Sequence, residues 1–168
     1  MIVVLRLLHI VFGVFWVGSV LFMSVLLMPS ISAAGPSGVA IMNELGRRRL
    51  SLVMMVAAIL TVGAGLWLVM IDTGGAPGAW MQSSTGRAFS LGGALAILTL
   101  VIGMAVNAPT ANRMSAIGAA IARRGGPPTA DETAELGRLR ARLALASGVL
   151  ALLLLGATGL MAVARYLP

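Results

Sequence analysis

Four separate apolar runs dominate the sequence, each about as long as a helix must be to cross a hydrocarbon core about 30 Å thick. They cover residues 2–28, 50–71, 89–106 and 143–164. In lipid no water completes the hydrogen bonds of backbone N–H and C=O groups, so runs of this kind fold as helices and the chain reads as all-α. Composition agrees: of 168 residues, 59% are hydrophobic and only 10% charged, far below the quarter that a water-facing surface requires. The expectation is one domain over residues 1–168, an integral-membrane, up-and-down four-helix bundle. The first run is too long for a signal-peptide core of about 7–15 residues and no A-x-A site follows it, so it reads as a retained helix. The connections at 29–46, 72–86 and 108–136 are rich in Gly, Pro and Ser, which punctuate helices.

All 12 cations are arginine, and their distribution is lopsided. Arg47, Arg48 and Arg49 lie in the first connection, and Arg113, Arg123, Arg124, Arg138, Arg140 and Arg142 in or beside the third. Arg6, Arg87 and Arg165 fall on the other side. Because short cytoplasmic loops concentrate Lys and Arg, the pattern predicts both termini on the periplasmic face of a bacterial inner membrane. The net charge of +7 is then a topological signal with anionic lipid as its partner; nucleic acid is not expected, since stacking aromatics and groove-reading elements are absent. In the third connection Met114, Ile117 and Ile121 recur at helical spacing until Gly125, and Thr129 with Glu132 has the form of a capping box. A Glu135–Arg138 pair at (i, i+3) would support the arm that follows. Helices three and four are therefore expected to extend into the cytoplasm as a helical hairpin.

Few residues can carry chemistry. Cysteine is absent, histidine occurs once and acids number five, which removes disulfides, thiolate sites and most hydrolytic or metal-cage arrangements. No pair of carboxylates lies within a span, so an acid-based proton relay finds no support. The single imidazole, His9, lies inside an apolar helix, where polar side chains are functional candidates by default. Arg6, His9, Gly13 and Trp16 share one helical stripe. His9 is a candidate haem ligand, Arg6 a partner for a propionate, and Gly13 and Trp16 candidates to shape the plane of the macrocycle. A sixth ligand would have to be a methionine, with Met161, Met70 and Met81 toward the periplasmic end, or a histidine from a second copy; five-coordinate haem is the alternative. The bland reading of the same residues is helix packing, with His9 hydrogen-bonded to a neighbouring helix and Gly13 serving close approach. The 11 methionines raise copper, since thioethers select Cu(I), but apart from Met54-Met55 they are scattered without M-x-x-M spacing.

The stretch from Leu8 to Gly18 has the form H-x6-W-x-G, with His9, Trp16 and Gly18 at the defined positions, followed by Phe22 and Pro29. It resembles the first helix of a loose group of small bacterial membrane proteins, the CopD/HemJ-like group, and its uncharacterised members most. The resemblance implies a four-helix membrane fold and haem or porphyrin contact at His9. HemJ-like oxidases also use a lysine in a later helix, and this chain has none, so the resemblance does not imply that enzyme activity. CopD-like copper transport ranks third. Level with haem binding stands a cofactor-free accessory subunit, partnered by other membrane chains of a respiratory or photosynthetic assembly.

Overall fold

In a computed structural model, which describes residues 1–167 apart from the side chains of Pro36, Val39 and Asn43, the chain is all-helical. In chain order the elements are α1 (Ile2–Phe22), a π-helical turn (Met23–Leu27), α2 (Met28–Ala33), α3 (Pro36–Arg47), α4 (Leu50–Asp72), α5 (Pro77–Gln82), α6 (Ser84–Ile102), a second π-helical turn (Gly103–Asn107), α7 (Ala108–Arg124), α8 (Ala130–Val163) and a closing 3-10 turn (Ala164–Tyr166). Four continuous helical stretches, Ile2–Ala33, Leu50–Asp72, Ser84–Arg124 and Ala130–Tyr166, are long and apolar enough to cross a membrane. They suggest a membrane-spanning protein.

Proline accounts for both π turns. Pro29 and Pro109 lack the N–H that the carbonyls of Val25 and Ala105 would accept, and a proline ring collides with that carbonyl in a regular helix. The turn just before each proline widens, so that Met28 N–H bonds Met23 O and Ala108 N–H bonds Gly103 O, and the helix continues. The first apolar stretch therefore runs past Met28 to Ala33 instead of stopping at the proline.

Two connections expected as loops contain helix. Gly35 turns the chain at φ +56° and Pro36 opens α3 with its φ already set, while Glu44 pairs with both Arg47 and Arg48 at the far end. The 72–86 connection holds α5, whose Trp80 stacks on Phe89 of α6 with ring centroids 6.0 Å apart.

One buried cluster joins all four long stretches: Trp16 of α1, Ala57 and Ala58 of α4, Ala96 of α6, and Leu154 and Ala157 of α8. Small residues dominate because apolar helices in lipid gain little by burying apolar area; close backbone approach, which alanine and glycine permit, supplies the attraction. Along this core α1 packs on α4, and α6 on α8. Larger apolar side chains such as Leu7, Val14, Leu145 and Leu152 point outward and are exposed, as suits a surface wetted by lipid.

Beyond the core, α7 and α8 form a hairpin. Gly125 ends α7 at φ +70°, a left-handed conformation that glycine adopts without the Cβ clash. Thr129 caps α8: its hydroxyl accepts the Glu132 N–H at 3.2 Å while Glu132 Oε2 accepts the Thr129 N–H at 2.8 Å. Ile117 of the apolar stripe is buried. Glu135 pairs not with Arg138 but across the hairpin with Arg113, whose guanidinium meets both carboxylate oxygens at 2.8 and 3.3 Å; this two-point geometry outcompetes a single contact within one helix. Arg124 likewise grips Glu132 at 2.8 and 2.7 Å.

The Arg124 guanidinium and the Thr129 amide hold the Glu132 carboxyl down to about 2, and Arg113 lowers Glu135 in the same direction. A carboxylate with a depressed folded pKa stabilises the hairpin above its unfolded value, 4.5, and that contribution vanishes as pH falls through the folded value. Hydrogen exchange around the 125–135 turn, corrected for intrinsic rates, is expected to show protection that is constant from pH 7 to 5 and declines between pH 4.5 and 2. Glu132→Gln should remove most of the decline.

Candidate functional site

His9 is held by α4. Its Nδ1–H donates to the carbonyl of Thr61 at 2.8 Å, a carbonyl whose second lone pair remains for its own helix. The Thr61 hydroxyl turns away and donates to Ala57 O at 2.7 Å. The imidazole lies flush on Gly65, where an added Cβ would stand 2.8 Å from Cε1 and 3.0 Å from Nδ1. Glycine at 65 is thus what allows the ring to reach α4. The carbonyl can only accept, so Nδ1 carries a proton; in the neutral ring the lone pair is then on Nε2, which has no partner among the described residues. The ring is half-buried.

The other residues singled out in the sequence do not all gather round this imidazole. Arg6 reaches Asp72 at the end of α4, 3.5 Å away, and both side chains are about half exposed. Gly13 faces α4, where a Cβ would lie 3.4 Å from the Thr61 methyl, so its open side serves helix packing. Trp16 sits in the core with 5% of its surface exposed. Met161 packs against α6: its Cγ would lie 3.0 Å from a Cβ at Gly92. Met70 and Met81 are exposed. The structure therefore joins His9 to Thr61 and Gly65, two residues that helical stripes on α1 could not reveal. Among the described residues no three His, Asp or Glu side chains converge on a point that could hold a metal ion.

A second feature lies toward the opposite end of the helices. A cavity of about 420 Å³ opens between all four long stretches, and methionines from five segments line it: Met23, Met28, Met42, Met54, Met55 and Met104. Scattered in sequence, they converge in space. Both π turns border the cavity, and each contributes one methionine and one polar residue, Ser24 or Asn107. Ser147 of α8 ties the two turns together: its hydroxyl accepts Asn107 Nδ2 at 3.2 Å, and its carbonyl accepts the Ser24 hydroxyl at 3.2 Å. The legible signal was the pair of prolines, Pro29 and Pro109, each two residues beyond its π turn. The methionines gave none.

No protein-family model, curated protein or solved structure matches this chain.

Proposed function

We propose that the chain is a multi-pass protein of the bacterial inner membrane that binds a b-type haem, or a related tetrapyrrole, through Nε2 of His9. In this reading it is an up-and-down four-helix bundle of the CopD/HemJ-like group. Both termini are periplasmic and the arginine-rich hairpin of α7 and α8 lies in the cytoplasm, beside anionic lipid headgroups.

The observation that supports the proposal is the Nε2 of His9, free among the described residues, on a ring whose Nδ1–H is held by the Thr61 carbonyl; the Nδ1 bond taken alone is equally the inter-helix contact of the packing reading. Histidines that ligate metals almost always donate their other ring N–H to a carbonyl or carboxylate, which orients the ring and raises the basicity of the ligating nitrogen. One imidazole cannot build a metal cage, but a porphyrin brings four nitrogens of its own and asks the protein for one or two more. His9 Nε2 is one nitrogen of the kind that a haem takes from a protein. Thr61 and Gly65 set the ring's position, and Arg6, steered by Asp72, is the cation available to a propionate. When bound, the group supplies one-electron redox chemistry. Gly13, Trp16 and Met161 are engaged in packing, so a second protein ligand, if one is used, would have to come from Met70, Met81 or a second copy of the chain.

A cofactor-free accessory subunit is the second reading. It is favoured by the closeness of His9 to Gly65, which makes the imidazole a clasp between α1 and α4 in its own right. An absorption spectrum separates the two. Protein purified from cells supplied with haem is expected to carry a Soret band, with one haem for every one or two chains by pyridine haemochrome assay, and His9→Ala to lose it while keeping its helical circular dichroism. Colourless wild-type protein under the same supply, co-purifying with partner membrane chains, establishes the second reading instead.

A further inference from the structure

The methionine-lined cavity has three properties that together specify what it would hold. Its wall is mostly apolar, with Ser24, Ser51, Thr99, Asn107, Asn112 and Ser147 its polar residues, and among the described residues that line it none is charged. In a low-dielectric interior an ionised guest would lack compensation, so the guest is neutral. Thioether side chains are flexible and polarizable and adapt to irregular apolar shapes, and a volume of this order is that of pockets that enclose a compact organic molecule. The third property is a hydrogen-bond acceptor without a donor. Asn107 uses Nδ2 on Ser147, while its Oδ1 is shielded from solvent and has no partner. It sits on a π turn, the kind of local widening that recurs at functional sites, and the same distortion stands opposite on the first helix.

We infer that this cavity binds a neutral, membrane-soluble molecule with an apolar body and a hydroxyl group at one end, the hydroxyl donating to Asn107 Oδ1. The two π turns hold the polar end of the site where Ser24, Asn107 and Ser147 meet. The methionines close round the apolar body. An acceptor that costs free energy when empty rewards a guest that carries a donor and discriminates against one that lacks it. This site stands apart from His9 and holds whether or not a haem is bound there.

A matched pair of probes tests it: 4-octylphenol, which has the donor, and 4-octylanisole, which has the same body without it. Each is added at defined mole fraction to lipid nanodiscs containing the full chain, and binding is read from the saturable rise in unfolding temperature and from the emission of Trp16 in a Trp67→Phe, Trp80→Phe background. The phenol is expected to bind at least tenfold more tightly than the anisole. Asn107→Leu should erase that preference, and Ala111→Phe, which narrows the cavity, should weaken both. Equal affinities for the two probes on the unmodified chain, the absence of saturable binding by the phenol, or a preference that survives Asn107→Leu would overturn the inference. The comparison on the unmodified chain decides the matter even where a variant fails to fold.

Discussion

Replacing Gly92 by leucine is expected to destabilise the protein by about 3 kcal/mol, whereas the same change at Gly93, the next residue along α6, should cost almost nothing. A Cβ at 92 would stand 3.1 Å from the Ala157 carbonyl and 3.0 Å from Met161 Cγ. Met161 has rotatable bonds and can yield, but a backbone carbonyl of α8 cannot move without the helix. The added isobutyl group would drive α6 off α8 along much of the contact that joins them. At Gly93 a Cβ meets nothing within 4 Å. The pair is thus an internal control in which composition, depth and helix are shared and only the facing direction differs. Unfolding free energies from steric trapping, or from SDS titration in mixed micelles, should differ between the two variants by at least 2 kcal/mol; equal effects would mean that α6 and α8 do not pack as described.

Leu154→Ala should cost about 2–3 kcal/mol by the same measurement. Leu154 is 1% exposed and is the largest apolar side chain so completely enclosed, at the point where α1, α4, α6 and α8 contribute to one cluster. In water such a truncation loses both transfer free energy and the contacts around the cavity. In lipid the reference state is already apolar, so the transfer contribution is weak and the lost dispersion contacts remain. The expected value therefore lies in the lower half of the range for soluble cores, about 2–5 kcal/mol. Leu152→Ala, two residues away and 71% exposed, should be within about 0.5 kcal/mol of wild type.

Individual residues show how far the sequence could be read. The four long apolar helices, the end of α7 at Gly125 and the Thr129–Glu132 capping box were legible because each depends on residues within a few positions of one another. The α3 and α5 helices were hidden under Gly, Pro and Ser because proline at a first helical position starts a helix as readily as it ends one. His9 could be singled out as the one polar ring in an apolar helix, but its partners could not be read. Gly13 looked like room for a flat ligand, yet the glycine against the ring is Gly65, on another helix. Local spacing likewise counted against a methionine cluster, since only Met54 and Met55 are adjacent, and six methionines nevertheless surround one cavity.

The amino-acid sequence alone determined that this is an all-helical chain with four apolar stretches, where the capped hairpin turns, and which single imidazole is available. Those are properties of chain length, hydrogen-bond accounting in lipid and short-range capping, none of which depends on distant residues. The tertiary structure alone decided that Gly65 cradles the imidazole, that Gly92 and not Gly93 meets α8, and that the methionines converge beside an unpartnered amide oxygen. A helix that is apolar all round has no stripe to announce which side faces its neighbours. Its rotation is chosen by how small residues on separate helices fit together, and that fit exists only once the helices have met.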